Sequence, residues 1–407
     1  MGALDPQQKR AAVWIVAGQS MTRLGDALTN PKTVLTWMLS ALGAPGALLS
    51  MLVPLREAGS MLPQLFVSDF VKRFRLRKRV FVAGALVQAA AIAVMGGGAL
   101  LLPPSAAAWL VLAAVALFAV ARSFCSISSK DVLGRSVPEG FRGRVGGVSN
   151  SISGLLSAAA AVVLIFFRDR EAPVFLAWLV LAASLLWVMG AGFYSRVAEP
   201  AAGTRNGESR DGWLDRLQMV REDRKFRTFV IARALLLGTA LASPLLVVLA
   251  QEAGGRLDSL VGFIVAAGIA NGTSSFLWGR LADRSGEWSM AAGGGVAILA
   301  GLAGMLLALR FPEWGARVWV WPAVFLLFNI GYAGVRMGRK TWVVDAAEGD
   351  RRTDYVSASN TLIAVLILLT GLVHSPLQAW SPLASLGLYL VMCVAGIVAA
   401  LRLRRIR

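Results

Sequence analysis

A chain of 407 residues with 57% hydrophobic and only 16% charged positions, and a mean hydropathy of +0.64, is too apolar for a soluble domain, where about 45–50% apolar and about 25% charged is usual. Two cysteines and one histidine argue against a disulfide framework and an ordinary soft-metal site, so neither metal nor cofactor is expected. The net charge of +18 would direct a soluble protein toward nucleic acid, yet the placement of the basic residues gives it another meaning and no nucleic-acid partner is expected.

From the N-terminus, MGALDPQQKR lacks the short apolar run and small-residue site of a cleavable signal, and Gly2 is not followed by the Ser or Thr of a myristoylation site. Apolar stretches near the ~20 residues needed to cross hydrocarbon then recur, among them FVAGALVQAAAIAVMGGGALLL (81–102) and VFLAWLVLAASLLWVMGAGF (174–193). Without water to satisfy loose backbone groups such spans must be helical. The expected fold is an all-α integral membrane protein with twelve transmembrane helices in two pseudo-symmetric six-helix bundles. The helices are expected near 14–38, 45–70, 80–102, 106–129, 146–167, 173–195, 228–250, 258–280, 289–310, 317–338, 355–374 and 379–402. The bundles are 1–195 and 228–407. Between them, 196–227 contains the polar AAGTRNGESRDG and then DGWLDRLQMVREDRKFR, whose Trp213, Leu217 and Val220 form one stripe. That segment is expected to lie on the cytoplasmic membrane surface as a connector.

The first predicted helix carries three charges, and an internal repeat settles it. Gly25-Asp26-Ala27-Leu28-Thr29-Asn30-Pro31 matches Gly238-Thr239-Ala240-Leu241-Ala242-Ser243-Pro244. Lys130, Arg142, Ser149 and Asn150 recur as Lys340, Arg352, Ser359 and Asn360. Since 228–250 is an evident span, its partner is one too. With this assignment Arg168, Arg170, Arg256, Arg310 and Arg317 lie on one side; Arg23, Lys32, Arg56, Arg122 and Arg233 lie within spans; the remaining Lys and Arg lie opposite. The positive-inside rule makes the crowded side cytoplasmic, with both termini there. High Ala, Gly and Arg usage fits a GC-rich bacterial genome, hence the cytoplasmic (inner) membrane.

After the eighth helix, Gly279-Arg280-Leu281-Ala282-Asp283-Arg284-Ser285-Gly286 (GRLADRSG) is expected to form a cytoplasmic loop. It resembles the signature loop of the major facilitator superfamily, G-x-L-a-D-R-x-G-R-[RK], and the twelve spans in two parallel halves resemble that family over essentially the whole chain. The first-half copy, SDFVKRFRLRKRV (68–80), keeps the basic run but carries Lys72 where the motif has Asp. The fifth helix has no Gly-Pro of the drug/proton antiporter branch. The resemblance implies secondary transport by alternating access around a midplane site, with Gly279, Asp283 and Arg284 in the cytoplasmic gate. Lys130, Asp131, Arg142, Lys340 and Arg352, at cytoplasmic helix ends, are read as the rest of that gate. GVRMGRKT (334–341) has the wrong spacing for a phosphate loop, and GIANG (268–272) is read as close helix packing.

Charges inside spans cost roughly 2.5–3.5 kcal/mol on insertion scales, so they face partners or a wet cavity. Gln19, Arg23, Asp26 and Asn30 share one face of the first helix; in the second, VPLREAG (53–59) supplies Arg56 and Glu57, with Ser60 and Gln64 on the same side. These two faces are expected to meet and line a cavity, Arg23 or Arg56 pairing with Asp26. Burial disfavours an ionised carboxylate, so Glu57 or Asp26 is the expected proton carrier; the rival reading is a static ion-pair cluster. Arg122 and Arg233 add positive charge that favours an anionic or zwitterionic solute, unless they snorkel at the cytoplasmic interface. Asn271, Asn329, Tyr332 and Asn360 are further lining candidates, each equally readable as an interhelical hydrogen bond. His374 is expected at the outer interface without a role. The function expected is a monomeric, proton-coupled secondary transporter of a small organic solute among membrane lipids, and not an enzyme. The alternatives are a lipid-handling membrane protein or enzyme, which would need an interfacial catalytic cluster, or a transporter-like sensor without flux.

Overall fold

The computed structural model describes residues 5–64, 67, 70–71, 73–165, 172–201, 221–255, 257–346 and 350–405, and every regular element among them is helical. In chain order these are α1 (Pro6–Leu28), α2 (Val34–Ala41), α3 (Gly46–Met61), α4 (Arg77–Leu101), α5 (Pro104–Ser136), α6 (Glu139–Ile165) and α7 (Ala172–Ser195). There follow α8 (Arg224–Leu235), a single turn Gly238–Leu241, α9 (Ser243–Glu252), α10 (Leu257–Arg284), α11 (Gly286–Arg310), a single turn Pro312–Gly315, α12 (Val320–Ala346), α13 (Asp350–Trp380) and α14 (Pro382–Arg405). Among the described residues, eight helices are long and apolar enough to cross a membrane, counting Arg224–Glu252 as one. Of the remaining helices, α3 is only 16 residues long, and α1 holds Lys9, Arg10, Arg23 and Asp26.

Packing divides the chain into two compact units. The first comprises Met1–Asn30, Leu55–Ala160 and Pro173–Ser209; the second comprises Pro31–Pro54, Ala161–Ala172 and Arg210–Arg407. In the first, α1 lies so close to α7 that a Cβ on Gly18 would sit 3.0 Å from the Gly190 carbonyl oxygen, and Phe81 stacks on Tyr194 with ring centroids 3.7 Å apart. In the second, α11 and α12 meet where a Cβ on Gly338 would lie 2.4 Å from the Gly286 oxygen, and Phe229 stacks on Trp342 at 4.1 Å. Gly338, part of the misspaced phosphate-loop match, is thus a packing glycine.

The first predicted helix is not continuous: α1 ends at Leu28 and α2 begins at Val34. A residue before proline is pushed out of the helical region, and Pro31 has no amide to donate. The Thr29 hydroxyl turns back to the Gly25 carbonyl (2.9 Å) and the Thr36 hydroxyl to the Pro31 carbonyl. The matching repeat, 238–244, also interrupts its helix, with Pro244 in the first turn of α9. The sequence repeat is therefore a repeated helix break. GRLADRSG is mostly helix rather than loop: α10 runs through Arg284, and Ser285 caps α11 by accepting from the Trp288 amide (3.2 Å). The packing expected of GIANG fails at Gly268, where a Cβ would meet nothing within 4 Å.

Candidate functional site

Asp26 sits two residues before the C-terminus of α1, with its side chain 22% exposed. Arg122 of α5 places Nη1 2.6 Å from both carboxylate oxygens, and Arg56 of α3 places Nη2 2.6 Å from Oδ1. The second Arg56 nitrogen, Nη1, donates to the Thr29 carbonyl at 3.2 Å, one of the acceptors orphaned where α1 breaks. Its guanidinium also lies 4.7 Å over the Phe118 ring. Arg56 is thus both ion-pair partner and helix cap, at 11% side-chain exposure, whereas Arg122 is 39% exposed. One carboxylate holds two cations, and the more accessible of them faces open volume.

That volume is a cavity of about 260 Å³ in the first unit, lined by Gln19, Thr22, Arg23 and Asp26 from α1, Phe81, Ala85 and Gln88 from α4, Arg122, Cys125, Ser126 and Ser129 from α5, and Trp187 from α7. Arg23 donates to the Gly146 carbonyl (3.3 Å) and to Gln19 Oε1 (3.4 Å). A lateral chain fixes the opposite wall: Trp187 Nε1 donates to Gln88 Oε1 (3.0 Å), and Gln88 Nε2 contacts Cys125 Sγ (3.1 Å). α1 approaches this wall because position 25 is glycine, where a Cβ would come within 2.4 Å of the Trp187 ring.

Of the two expected partners of Asp26, Arg56 forms the ion pair, and Arg122 joins it. Glu57, Ser60, Gln64 and Asn30 are absent from the described lining. Ser60 instead donates to the Glu57 carbonyl (2.8 Å) and Gln64 to the Ser60 carbonyl (2.8 Å), both within their own chain segment. Gln88 was the residue missed. It is a lone amide in an apolar span, and that isolation was the available signal.

The other candidates lie in the second unit or at helix ends. Arg233 donates to Ser359 Oγ (2.8 Å) and Asn360 Oδ1 (2.9 Å). Tyr332 lies 4.2 Å beneath the Lys32 ammonium and 5.7 Å from the Arg336 guanidinium. Asn271 is exposed and accepts from Arg336 (3.3 Å), while Asn329 donates to Phe325 of its own helix (2.9 Å). His374 is 1% exposed, stacks on Tyr389 and pairs its Nδ1 with Ser385 Oγ (2.9 Å). Of the gate set, Lys130, Arg284 and Lys340 are exposed, and Gly279 has open space around it. Asp131 pairs with Arg77, a residue not anticipated. The side chains of Arg142, Asp283 and Arg352 lie outside the described residues, as does the stripe of Trp213, Leu217 and Val220.

Arg77 belongs to a second feature the sequence did not disclose. The Glu199 carboxylate, just past α7, accepts from the Arg77 and Lys78 amides (3.0 and 2.8 Å) at the N-terminus of α4. Lys78 Nζ in return donates to the Ser195 and Val197 carbonyls (2.9 and 2.7 Å) at the end of α7. Each charge complements a helix dipole end.

Residues 15–371 match the family model described as Major Facilitator Superfamily. No curated protein matches the chain. Among solved structures, the nucleoside transporter NupG is 8% identical with a TM-score of 0.74, covering 97% of this chain and 99% of that one. The POT family transporter PepTSo is 10% identical with a TM-score of 0.71, covering 98% and 99%. A bacterial homologue of the human lysosomal transporter Spinster is 12% identical with a TM-score of 0.65, covering 98% and 96%. At such identities the likeness is one of fold.

Proposed function

Because this chain belongs to the Major Facilitator Superfamily, and is on that ground a transporter rather than an enzyme, we propose that it is a proton-coupled secondary transporter of a small organic anion or zwitterion. It works by alternating access of two six-helix halves, twelve spans in all, in a bacterial cytoplasmic membrane with both termini inside. The observation that carries the substrate class is the shared carboxylate: Arg122 faces the cavity while Asp26, its ion-pair partner among the described residues, is also held by Arg56. With Arg23 in the same lining, the cavity offers more positive than negative charge. An incoming carboxylate or phosphate is bound by the Arg122 fork, displacing Asp26, which keeps Arg56.

Coupling follows from the same competition. A proton on Asp26 releases Arg122 for the solute, so proton and anion enter the site together. Gln88, Ser126 and Ser129 supply neutral hydrogen-bonding groups for the remainder of the solute, and Trp187 an apolar wall. The gate reading of Gly279, Asp283, Arg284, Lys130, Asp131, Arg142, Lys340 and Arg352 stands beside this proposal. A second reading has a specific observation in its favour: Arg56 caps Thr29 and covers Phe118, which is what a locking cluster would do. The two readings are compatible, with Arg56 structural and Arg122 functional.

The test is uptake into proteoliposomes of a panel of labelled organic anions, zwitterions, cations and neutral solutes, with and without an imposed pH gradient. Wild type is expected to accumulate an anion or zwitterion under the gradient, Asp26→Asn to lose the response to pH, and Arg122→Gln to raise KM about tenfold or more, the loss of one charge-assisted contact. Normal pH-driven uptake in Asp26→Asn would sink the coupling, and preference for a cation would sink the substrate class.

A further inference from the structure

Arg233 is a buried charged side chain with no counter-charge among the described residues. It lies in α8 at 7% exposure, nine residues into the apolar stretch Arg224–Glu252. Its Nη1 and Nη2 rest on neutral acceptors, Ser359 Oγ and Asn360 Oδ1, and its buried Nε has no hydrogen-bond partner. Among the described residues no carboxylate reaches it, the ion pairs there being those of Arg56, Arg77 and Arg122. Arg339 of α12 lies near enough to add repulsion rather than relief. A guanidinium removed from water and left without an anion is unfavourable, so the fold retains it for something not part of the chain.

Helix packing does not require it. By the internal repeat Arg233 corresponds to Ser20, and Ser359 to Ser149. In the first unit the Ser20 hydroxyl makes the equivalent connection to the Ser149 carbonyl (3.5 Å). A small neutral side chain suffices there to join the same two helices. The arginine is therefore an addition specific to the second unit.

The geometry points to an oxyanion-binding site in the second unit, in which the Arg233 guanidinium, supported by Ser359 and Asn360, takes a phosphate or carboxylate group. The Asn360 amide is able to donate to the same anion, and Asn360 is half-buried. Ser359 lies five residues past Asp354, the last charge of Asp350-Arg351-Arg352-Thr353-Asp354, near the end of its span, where a lipid headgroup phosphate and a soluble oxyanion can both arrive. This site is separate from the first-unit cavity and does not depend on the reading given to that cavity.

The test is thermal unfolding of the purified full-length protein as phosphate replaces chloride at constant ionic strength in a neutral detergent. A parallel series uses nanodiscs of phosphatidylcholine alone or with phosphatidylglycerol. Wild type and Arg122→Gln should be stabilised saturably by phosphate, by phosphatidylglycerol, or by both, the pattern naming the source. Arg233→Lys keeps the charge but loses the fork and should need at least about tenfold more ligand, the equivalent of one charge-assisted hydrogen bond; Arg233→Gln should lose the response. A response abolished in Arg122→Gln but intact in Arg233→Lys assigns the anion to the first-unit cavity and overturns the inference. So does wild type that neither ligand stabilises, or an Arg233→Lys titration that superimposes on wild type.

Discussion

Replacing Asp26 by Asn strands two arginines, and they should respond unequally. Arg56 is 11% exposed and keeps only the Thr29 carbonyl and the Phe118 ring. Losing a charge-assisted hydrogen bond in such a place costs about 1.5–3 kcal/mol. Arg122 is 39% exposed and faces the cavity, so it can turn into water; its share falls to the range of a solvated pair, about 0.2–1 kcal/mol. Double-mutant cycles isolate the two terms: Asp26→Asn with Arg56→Met, and Asp26→Asn with Arg122→Gln, read by reversible SDS unfolding in mixed micelles. The expected coupling energies are about 2 kcal/mol or more for Asp26–Arg56 and under about 1 kcal/mol for Asp26–Arg122. Equal couplings, or a larger one to Arg122, would refute the division between a structural and a functional arginine.

Gly25→Ala should destabilise the first unit by about 1–3 kcal/mol through overpacking, because the Trp187 ring atoms 2.4–2.8 Å from the new methyl are held by Gln88 and Phe118. Adding Trp187→Phe removes part of that ring and should recover much of the loss in the same unfolding assay; no recovery would mean that the contact is not what excludes alanine. Gln88→Leu leaves the Trp187 indole N–H without its acceptor and should cost about 1–3 kcal/mol, with altered Trp187 fluorescence if the other tryptophans are replaced. Glu199→Gln weakens a charged cap on two amides and should cost about 0.5–2 kcal/mol. Hydrogen exchange at Arg77 and Lys78 reports it, and unchanged exchange would show that the start of 196–201 does not clasp α4.

Much was legible in the sequence for one physical reason: hydrocarbon penalises polarity strongly enough that composition and residue spacing alone mark the spans and the exceptions within them. The apolar runs at 81–102 and 174–193 became α4 and α7, and the GxALxxP repeat announced a feature present twice, although only the structure showed that the feature is a helix break. Asp26, Arg56 and Arg122 stood out as charges that needed partners. What sequence could not supply was the identity of the partner. Periodicity fixes which face of its own helix a side chain occupies, but the neighbouring helix that the face meets depends on packing decided by small residues such as Gly18 and Gly25 against α7. Hence Arg56 rather than Arg23 pairs with Asp26, α4 and α5 rather than α3 line the cavity, and Arg233, unremarkable among five intramembrane cations in the sequence, proves to be buried with no anion beside it among the described residues.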